Sequence, residues 1–363
     1  MRQFTAEAPA RANIIGEHTD YATNGGHVLP TPLPFTTTVT VKEIDGKAGT
    51  VTLTSASYPG EAFTRTIDEP AAANWTDYVL GSVRAVAKLA GLPPLKAEVS
   101  SRVPVGSGIS SSAALCVGTV RALNGLLGLG LDDVRVALMA HEAEHDYVGV
   151  PCGKMDQFAS SVGRPGKALL LNTRTLGWRL YPLPPGFALM LVDCGTKHDL
   201  AKGGGYKQRV AECREARDRL GVATLCELGY YDLPRLSLLP DVVARRARHV
   251  ITENLRVLEY VDALEKADTE KQAELIAASH ISQRDDFQCS IPETDALVES
   301  SWRFGVRGAR IVGGGFGGAI IALVPDDRTD AWWRFVSKEN PSSRLISTYA
   351  LHDRKSIKEP QRR

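Results

Sequence analysis

PVGSGISSSAA, residues 104–114, is the stretch from which the rest of the chain can be read. It follows an extended run, AEVSSRVPVG over 97–106, and opens an apolar helical pattern, SSAALCVGTVRALNGLLG, that stops at a glycine. Gly106 and Gly108 free the backbone to approach a ligand closely, and Ser110, Ser111 and Ser112 add hydroxyls. The start of a helix presents unpaired N–H groups and the positive end of the dipole, so a polyphosphate is a natural guest. A serine-rich cap after a tight turn would use the same letters. Spacing alone leaves both readings open.

Two other glycine runs are less informative. GVPCGK, 149–154, is one residue short of a Walker A loop and continues with Met155 in place of Ser or Thr. GGGFGG, 313–318, matches GxGxxG in form, but AIIALV follows it, a strand pattern where a dinucleotide fingerprint needs a helix. A tight hairpin with close backbone packing is the expectation there.

Outward from these loops, FTTTVTVKEI (35–44) and GTVTLTSAS (49–57) alternate and are rich in β-branched residues, as strands are. Helical periodicity marks 74–91, with Tyr78, Val79, Val83, Val86 and Leu89 on one face, and 131–149, with Asp132 or Asp133 placed to cap. MDQFASSVG gives a shorter helix. KALLLNT and FALMLVDCG read as strands on either side of YPLPPG, 181–186, the expected domain junction. Longer helices follow at 206–220, 241–267 and 271–282, then a final strand pair. Strands and helices without a regular βα alternation make the expected class α+β, in two domains, 1–182 and 183–363.

Composition narrows the function classes. The chain has 363 residues, 43 basic and 42 acidic, for a formal charge of +1. That balance offers no electrostatic footprint for nucleic acid or a membrane surface. Six cysteines lie far apart with no CxxC pair, which leaves zinc-ribbon and redox readings little to rest on. The N-terminus, MRQFTAEAPAR, lacks the apolar core of a secretory signal, and no run of about 18 apolar residues suggests a span. A cytoplasmic protein acting on small molecules is expected, with a monomer the simplest assembly.

NIIGEHTDY, 13–21, places Glu17, His18 and Asp20 together after a short apolar run. Such a group is either a wet loop or a grip for something polyhydroxylated. A metal site is the competing idea, but the stretch lacks a helical i, i+4 histidine pair.

Taken together, ARANIIGEHTDY (10–21), PVGSGISSSAA and GARIVGGGFGGAIIALV resemble the GHMP family of small-molecule kinases, and within it the branch that phosphorylates galactose. Further similar stretches, in the family's order, are NWTDYVLG, AEHDYVGVPCGKMDQF, KHDLAKGGGYKQRVAEC, RHVITENLRVLEYVDAL and SHISQRDDFQCSIPETDALV. The resemblance covers nearly the whole chain. It implies an N-terminal domain like ribosomal protein S5 and a C-terminal ferredoxin-like α+β domain, with the active site in the cleft between them. It also implies transfer of the γ-phosphoryl of MgATP to the C1 hydroxyl of α-D-galactose, the opening of galactose breakdown. A kinase for N-acetylgalactosamine is the enzyme alternative, and a non-catalytic galactose and ATP sensor is the alternative of another class.

By the same resemblance, Asp156 stands beside the reacting hydroxyl, where it orients the group and takes its proton. Arg11 lies against that aspartate. Glu144 and Ser112 are implied as magnesium ligands, both offering hard oxygen. Glu17, His18, Asp20 and Tyr206 are implied as sugar contacts. Pro104, Gly106, Ser107, Gly108, Ser110, Ser111, Ser112 and Ala113 are implied to cradle the ATP phosphates, and Trp75 to line the adenine pocket. Without the resemblance, Asp156 would read as a helix cap, Arg11 as a solvated charge and Glu144 as part of a wet helix face. The chain departs from the family pattern at Ala10, where a glycine is usual, at ATNGG (22–26), and at PTPLPFTTT (30–38).

Overall fold

Alternation of β-branched and small polar residues builds the first sheet. The computed structural model describes residues 1–21, 25–104, 108–196 and 205–351. Five strands, β1 (Gln3–Asn13), β3 (Pro30–Glu43), β6 (Leu95–Ser101), β4 (Thr50–Ser55) and β5 (Ala62–Thr66), lie in the order β1-β3-β6-β4-β5. β3 runs antiparallel to β6 with Val39 opposite Val99 and Val41 opposite Ala97, while β4 runs parallel to β6. Val39, Val41, Val51, Leu53, Leu95, Ala97 and Val99 are buried, and the threonines between them are not fully covered. This is the two-residue period of a sheet with one face on a core.

That core is closed by helices of the same compact unit, which comprises the described residues of 1–11, 32–104 and 109–163. α1 (Thr76–Ala87) contributes Val79, Leu80, Val83 and Val86, and α2 (Ser111–Leu127) contributes Cys116, Val117, Val120 and Leu123. Each such side chain contributes roughly 1.5–3 kcal/mol when fully buried. Leu89, expected on the helical face, lies past the end of α1 and is exposed. α2 ends at Gly128 with φ of 65°, a left-handed cap that glycine adopts without strain.

The helix expected over 131–149 is two structures. α3 (Asp133–Glu142) starts on Asp132, whose carboxylate accepts the Arg135 N–H at 2.7 Å. It then widens into a π-helix, Ala143–Val148, that ends at Gly149 with φ of 82°. α4 (Met155–Ser161) follows.

The second unit comprises Ala12–Thr31, Gly108 and the chain from Arg164 onward. It carries a three-stranded sheet of β2 (His27–Val28), β7 (Lys167–Asn172) and β8 (Trp178–Pro182), in the order β2-β7-β8. A four-stranded antiparallel sheet has the order β10-β11-β9-β12, from β9 (Phe187–Asp193), β10 (Ala309–Val312), β11 (Ala319–Pro325) and β12 (Arg344–Ala350). α5 (Gly205–Leu220), α6 (Asp241–Glu265) and α7 (Thr269–Ser282) match the long helical patterns. α8 (Pro292–Arg303) and α9 (Thr329–Glu339) were not expected from the sequence; they bury Leu297, Val298, Trp332 and Val336 beside Met190, Val192 and Ile320 of the four-stranded sheet.

GGGFGG is the hairpin it was expected to be. It links Val312 to Ala319, which face each other across β10 and β11, so no dinucleotide fingerprint exists there. YPLPPG does not divide the chain. It closes β8 and turns into β9 inside the second unit, and the contact boundary falls at Gly163 and Arg164. Proline and glycine mark a turn; only pairing partners tell a turn from a domain boundary.

Candidate active site

In the first unit, the end of β1, the start of α2 and the first turn of α4 bring three side chains together. Arg11 is buried and donates from Nε to Oδ1 and from a terminal nitrogen to Oδ2 of Asp156, both at 2.8 Å. This is the bidentate fork that only arginine makes with a carboxylate. The Ser110 hydroxyl donates to Oδ2 of the same Asp156. Asp156 is therefore no helix cap, because its carboxylate is spent on Arg11 and Ser110.

Ser110 occupies the cap position of α2 with φ of 62° and ψ of 54°, in the left-handed region, and its side chain makes no cap bond. A non-glycine residue held there costs of order 1–3 kcal/mol. The helix start thus keeps its amides: those of Ser111, Ser112 and Ala113 have no acceptor within the helix, as at any helix N-terminus. Ala113 is buried, and Gly108 has φ of 69°. Pro104 is partly buried. Gly106 and Ser107 lie outside the described residues.

Glu144 lies in the π-helix and is buried. Gln157 donates to its Oε2 at 2.7 Å, and Ser112 hydrogen-bonds its side chain. Burial, and secondarily the negative charge of Asp156, push the Glu144 carboxyl up to about 7, against the pull of the Ser112 and Gln157 hydrogen bonds and of Arg11. A carboxylate so destabilised, beside a hydroxyl, fits a hard divalent cation such as Mg²⁺. Among the described residues no cluster of three or more His, Cys, Asp or Glu side chains suits a metal. Gln157, one letter beyond Asp156, was not expected to take part; nothing in MDQF marks it.

Trp75 precedes α1, half-buried, with its ring stacked toward Tyr58 at 6.2 Å and edge-on to Phe63 at 6.1 Å. Its Nε1 is buried with no partner among the described residues.

In the second unit, Glu17 is buried and accepts from Arg310 at 3.0 Å and from the Gly313 N–H at 2.8 Å, both on Oε1. His18 is buried beside it. Its ring stacks on Phe287 with centroids 4.1 Å apart, Nε2 lies 3.4 Å from Cys289 Sγ, and Nδ1 hydrogen-bonds the Tyr21 hydroxyl. Burial, the largest cause, lowers its pKa well below the usual histidine value. Both ring nitrogens have neighbours inside the protein, Cys289 on Nε2 and Tyr21 on Nδ1. Asp20 is partly exposed, and Tyr21 stacks on Tyr206 at 4.6 Å. Residues 22–24 and 197–204 lie outside the described residues.

Arg310, Glu253 and His249 surround Glu17 and were missed from the sequence. The available signal was RHVITE, which places His249 and Glu253 four apart on the apolar face of α6.

Among the described residues, no helix is long and apolar enough to cross a membrane. Comparison with known proteins gives a consistent result. The galactokinase galactose-binding signature matches residues 1–43, the GHMP kinases N-terminal domain 77–164 and the GHMP kinases C-terminal domain 260–341. A galactokinase of Thermotoga neapolitana is 40% identical over 87% of this chain and 88% of its own length. The crystal structure of Lactococcus lactis galactokinase complexed with galactose superposes with a TM-score of 0.90 at 28% identity, covering 96% of this chain and 93% of that one. Methanococcus jannaschii mevalonate kinase shares the fold, with a TM-score of 0.67 at 18% identity. Identity of this extent, with the signature and both domains in order, establishes that the chain belongs to the galactokinases, within the GHMP kinases.

Proposed function

We propose that the chain transfers the γ-phosphoryl of ATP to the C1 hydroxyl of α-D-galactose, giving galactose 1-phosphate and ADP as the first step of galactose breakdown in the cytoplasm. The observation that carries the reading is the Arg11 fork on Asp156, with Ser110 on the same carboxylate.

Asp156 orients the C1 hydroxyl and accepts its proton. Arg11 orients that carboxylate and offsets charge that builds on the transferring group. Phosphoryl transfer is largely dissociative, so alignment and charge neutralisation outweigh base strength. The amides at the start of α2, with Gly108 and Ser110 to Ala113, hold the phosphates, and Pro104, Gly106 and Ser107 complete that loop. Ser112 and Glu144 would hold Mg²⁺, which when bound neutralises phosphate charge. Trp75 lines the adenine pocket. Glu17, His18, Asp20 and Tyr206 contact the sugar, whose hydroxyls both donate and accept.

ADP release measured with purified protein over a panel of hexoses tests this. Turnover should be greatest with galactose. Preference for an acetamido sugar would reassign the substrate, and no turnover with any hexose would leave a sensor.

A further inference from the structure

Glu253 lies in the middle of α6 with its carboxylate fully buried. An apolar side chain would fill that position without desolvating a charge. The carboxylate is aimed instead at the backbone that carries the sugar-contacting residues. Its Oε1 accepts the Gly16 N–H at 2.8 Å, the Glu17 N–H at 3.3 Å and the Ser279 hydroxyl at 2.7 Å. Its Oε2 accepts from Arg256 Nε at 2.8 Å. Gly16, with φ of 102°, is what allows the approach: a Cβ there would stand 2.8 Å from Val257 and 2.9 Å from the His27 carbonyl.

Two more buried side chains fix the rest of Glu17. His249 Nε2 donates to its carbonyl at 3.2 Å. Arg310 holds Oε1 at 3.0 Å while donating to the Asn13 carbonyl at 2.6 Å and the Ile14 carbonyl at 2.7 Å. Amide, carbonyl and one carboxylate oxygen of a single residue are thus each held by a different buried side chain, and Oε2 takes no part in these bonds.

We propose that Glu253 is a positioning residue for galactose: with Arg310 and His249 it pre-sets the Gly16–Glu17 backbone so that the Glu17 carboxylate meets the sugar without reordering. The inference rests on the reading of this loop as the sugar site. Pre-ordering a loop lowers the entropy lost on binding, so its effect falls on the ligand that the loop holds.

The test compares steady-state constants of four variants with the parent. Glu253→Gln keeps the volume and removes the charge that two amides share. Its KM for galactose should rise at least about tenfold, with the KM for ATP within about twofold. Ser279→Ala removes a different hydrogen bond of the same carboxylate and should lower thermal stability while leaving the galactose KM unchanged. Should Glu253→Gln not fold, Arg310→Lys, which keeps the charge and loses the fork, is read in the same way. Glu17→Ala separates the two claims. If it raises the galactose KM and Glu253→Gln and Arg310→Lys do not, positioning is wrong; if it leaves that KM unchanged, the loop is not the sugar site and both claims fall.

Discussion

Arg11 and Asp156 meet edge to edge, with Nε on Oδ1 and a terminal nitrogen on Oδ2, each at 2.8 Å. The pairing fixes the plane of the carboxylate. Asp156→Asn removes the proton acceptor proposed for the C1 hydroxyl and is expected to lower kcat by about 10²–10⁴-fold, with the galactose KM little changed. Arg11→Lys keeps a cation but cannot form both bonds, so kcat should also fall. Steady-state kinetics check both; a full kcat in Asp156→Asn would remove this residue from the mechanism.

Ser110 holds a left-handed backbone and a hydroxyl on Asp156. Ser110→Ala and Ser110→Gly both lose the hydroxyl, and only alanine keeps the Cβ that the conformation disfavours. Glycine should therefore be the more stable of the two by roughly 1 kcal/mol, the reverse of the order in a helix interior. Denaturant midpoints measure this. Equal stabilities would mean that the turn carries no strain.

Burial lowers the pKa of His249 from 6.5 to about 4, so the folded protein keeps the ring neutral. Between those values the unfolded chain binds a proton that the folded chain does not. Stability from this group is fully present above the unfolded value and declines as pH falls from 6.5 toward 4. Glu144 acts in the opposite sense in metal-free protein, its raised carboxyl stabilising the fold as pH falls through about 7. The comparison is therefore made by difference with His249→Gln, which keeps a donor for the Glu17 carbonyl and does not titrate. The parent should lose stability relative to the variant from pH 6.5 to 4.5. Parallel curves would place the His249 proton elsewhere.

Trp75 keeps a buried Nε1 without a partner among the described residues. Trp75→Phe retains an aromatic ring and removes that donor. If adenine docks here, the KM for ATP should rise about fivefold, the worth of one hydrogen bond, and the galactose KM should hold. Unchanged ATP kinetics would leave Trp75 as packing between Tyr58 and Phe63.

Much of the fold was legible because periodicity was strong: the alternation in β3 and β4 and the 3.6-residue rhythm of α2 and α6 each report one buried face. α9 escaped notice because its buried side is carried mainly by Trp332 and Val336. The site was less legible than the fold. Arg11 reads as a solvated strand residue until its aspartate, 145 positions away, is placed beside it. Nothing in the letters around His18 announces its backbone at φ of 68° or its stack on Phe287. Glu253 and Arg310 look like surface charges in sequence, because one chain does not reveal which of its charges are buried.

The second unit takes its segment Ala12–Thr31 from the beginning of the chain, and β2 within it pairs with β7. During synthesis this segment emerges roughly 130 residues before Arg164, where the remainder of its unit begins. At about 5–20 residues per second it waits on the order of ten seconds for its strand partner, and longer for α6 and Arg310. Ile14, Ile15, Val28 and Leu29 are all buried in the finished protein, and Val28 is without its pairing partner Leu171 through that interval. The Gly16–Glu17 loop is thus made well before the side chains that hold it, Glu253, His249 and Arg310. A truncated chain that stops before α6 would leave it without Glu253, His249 and Arg310.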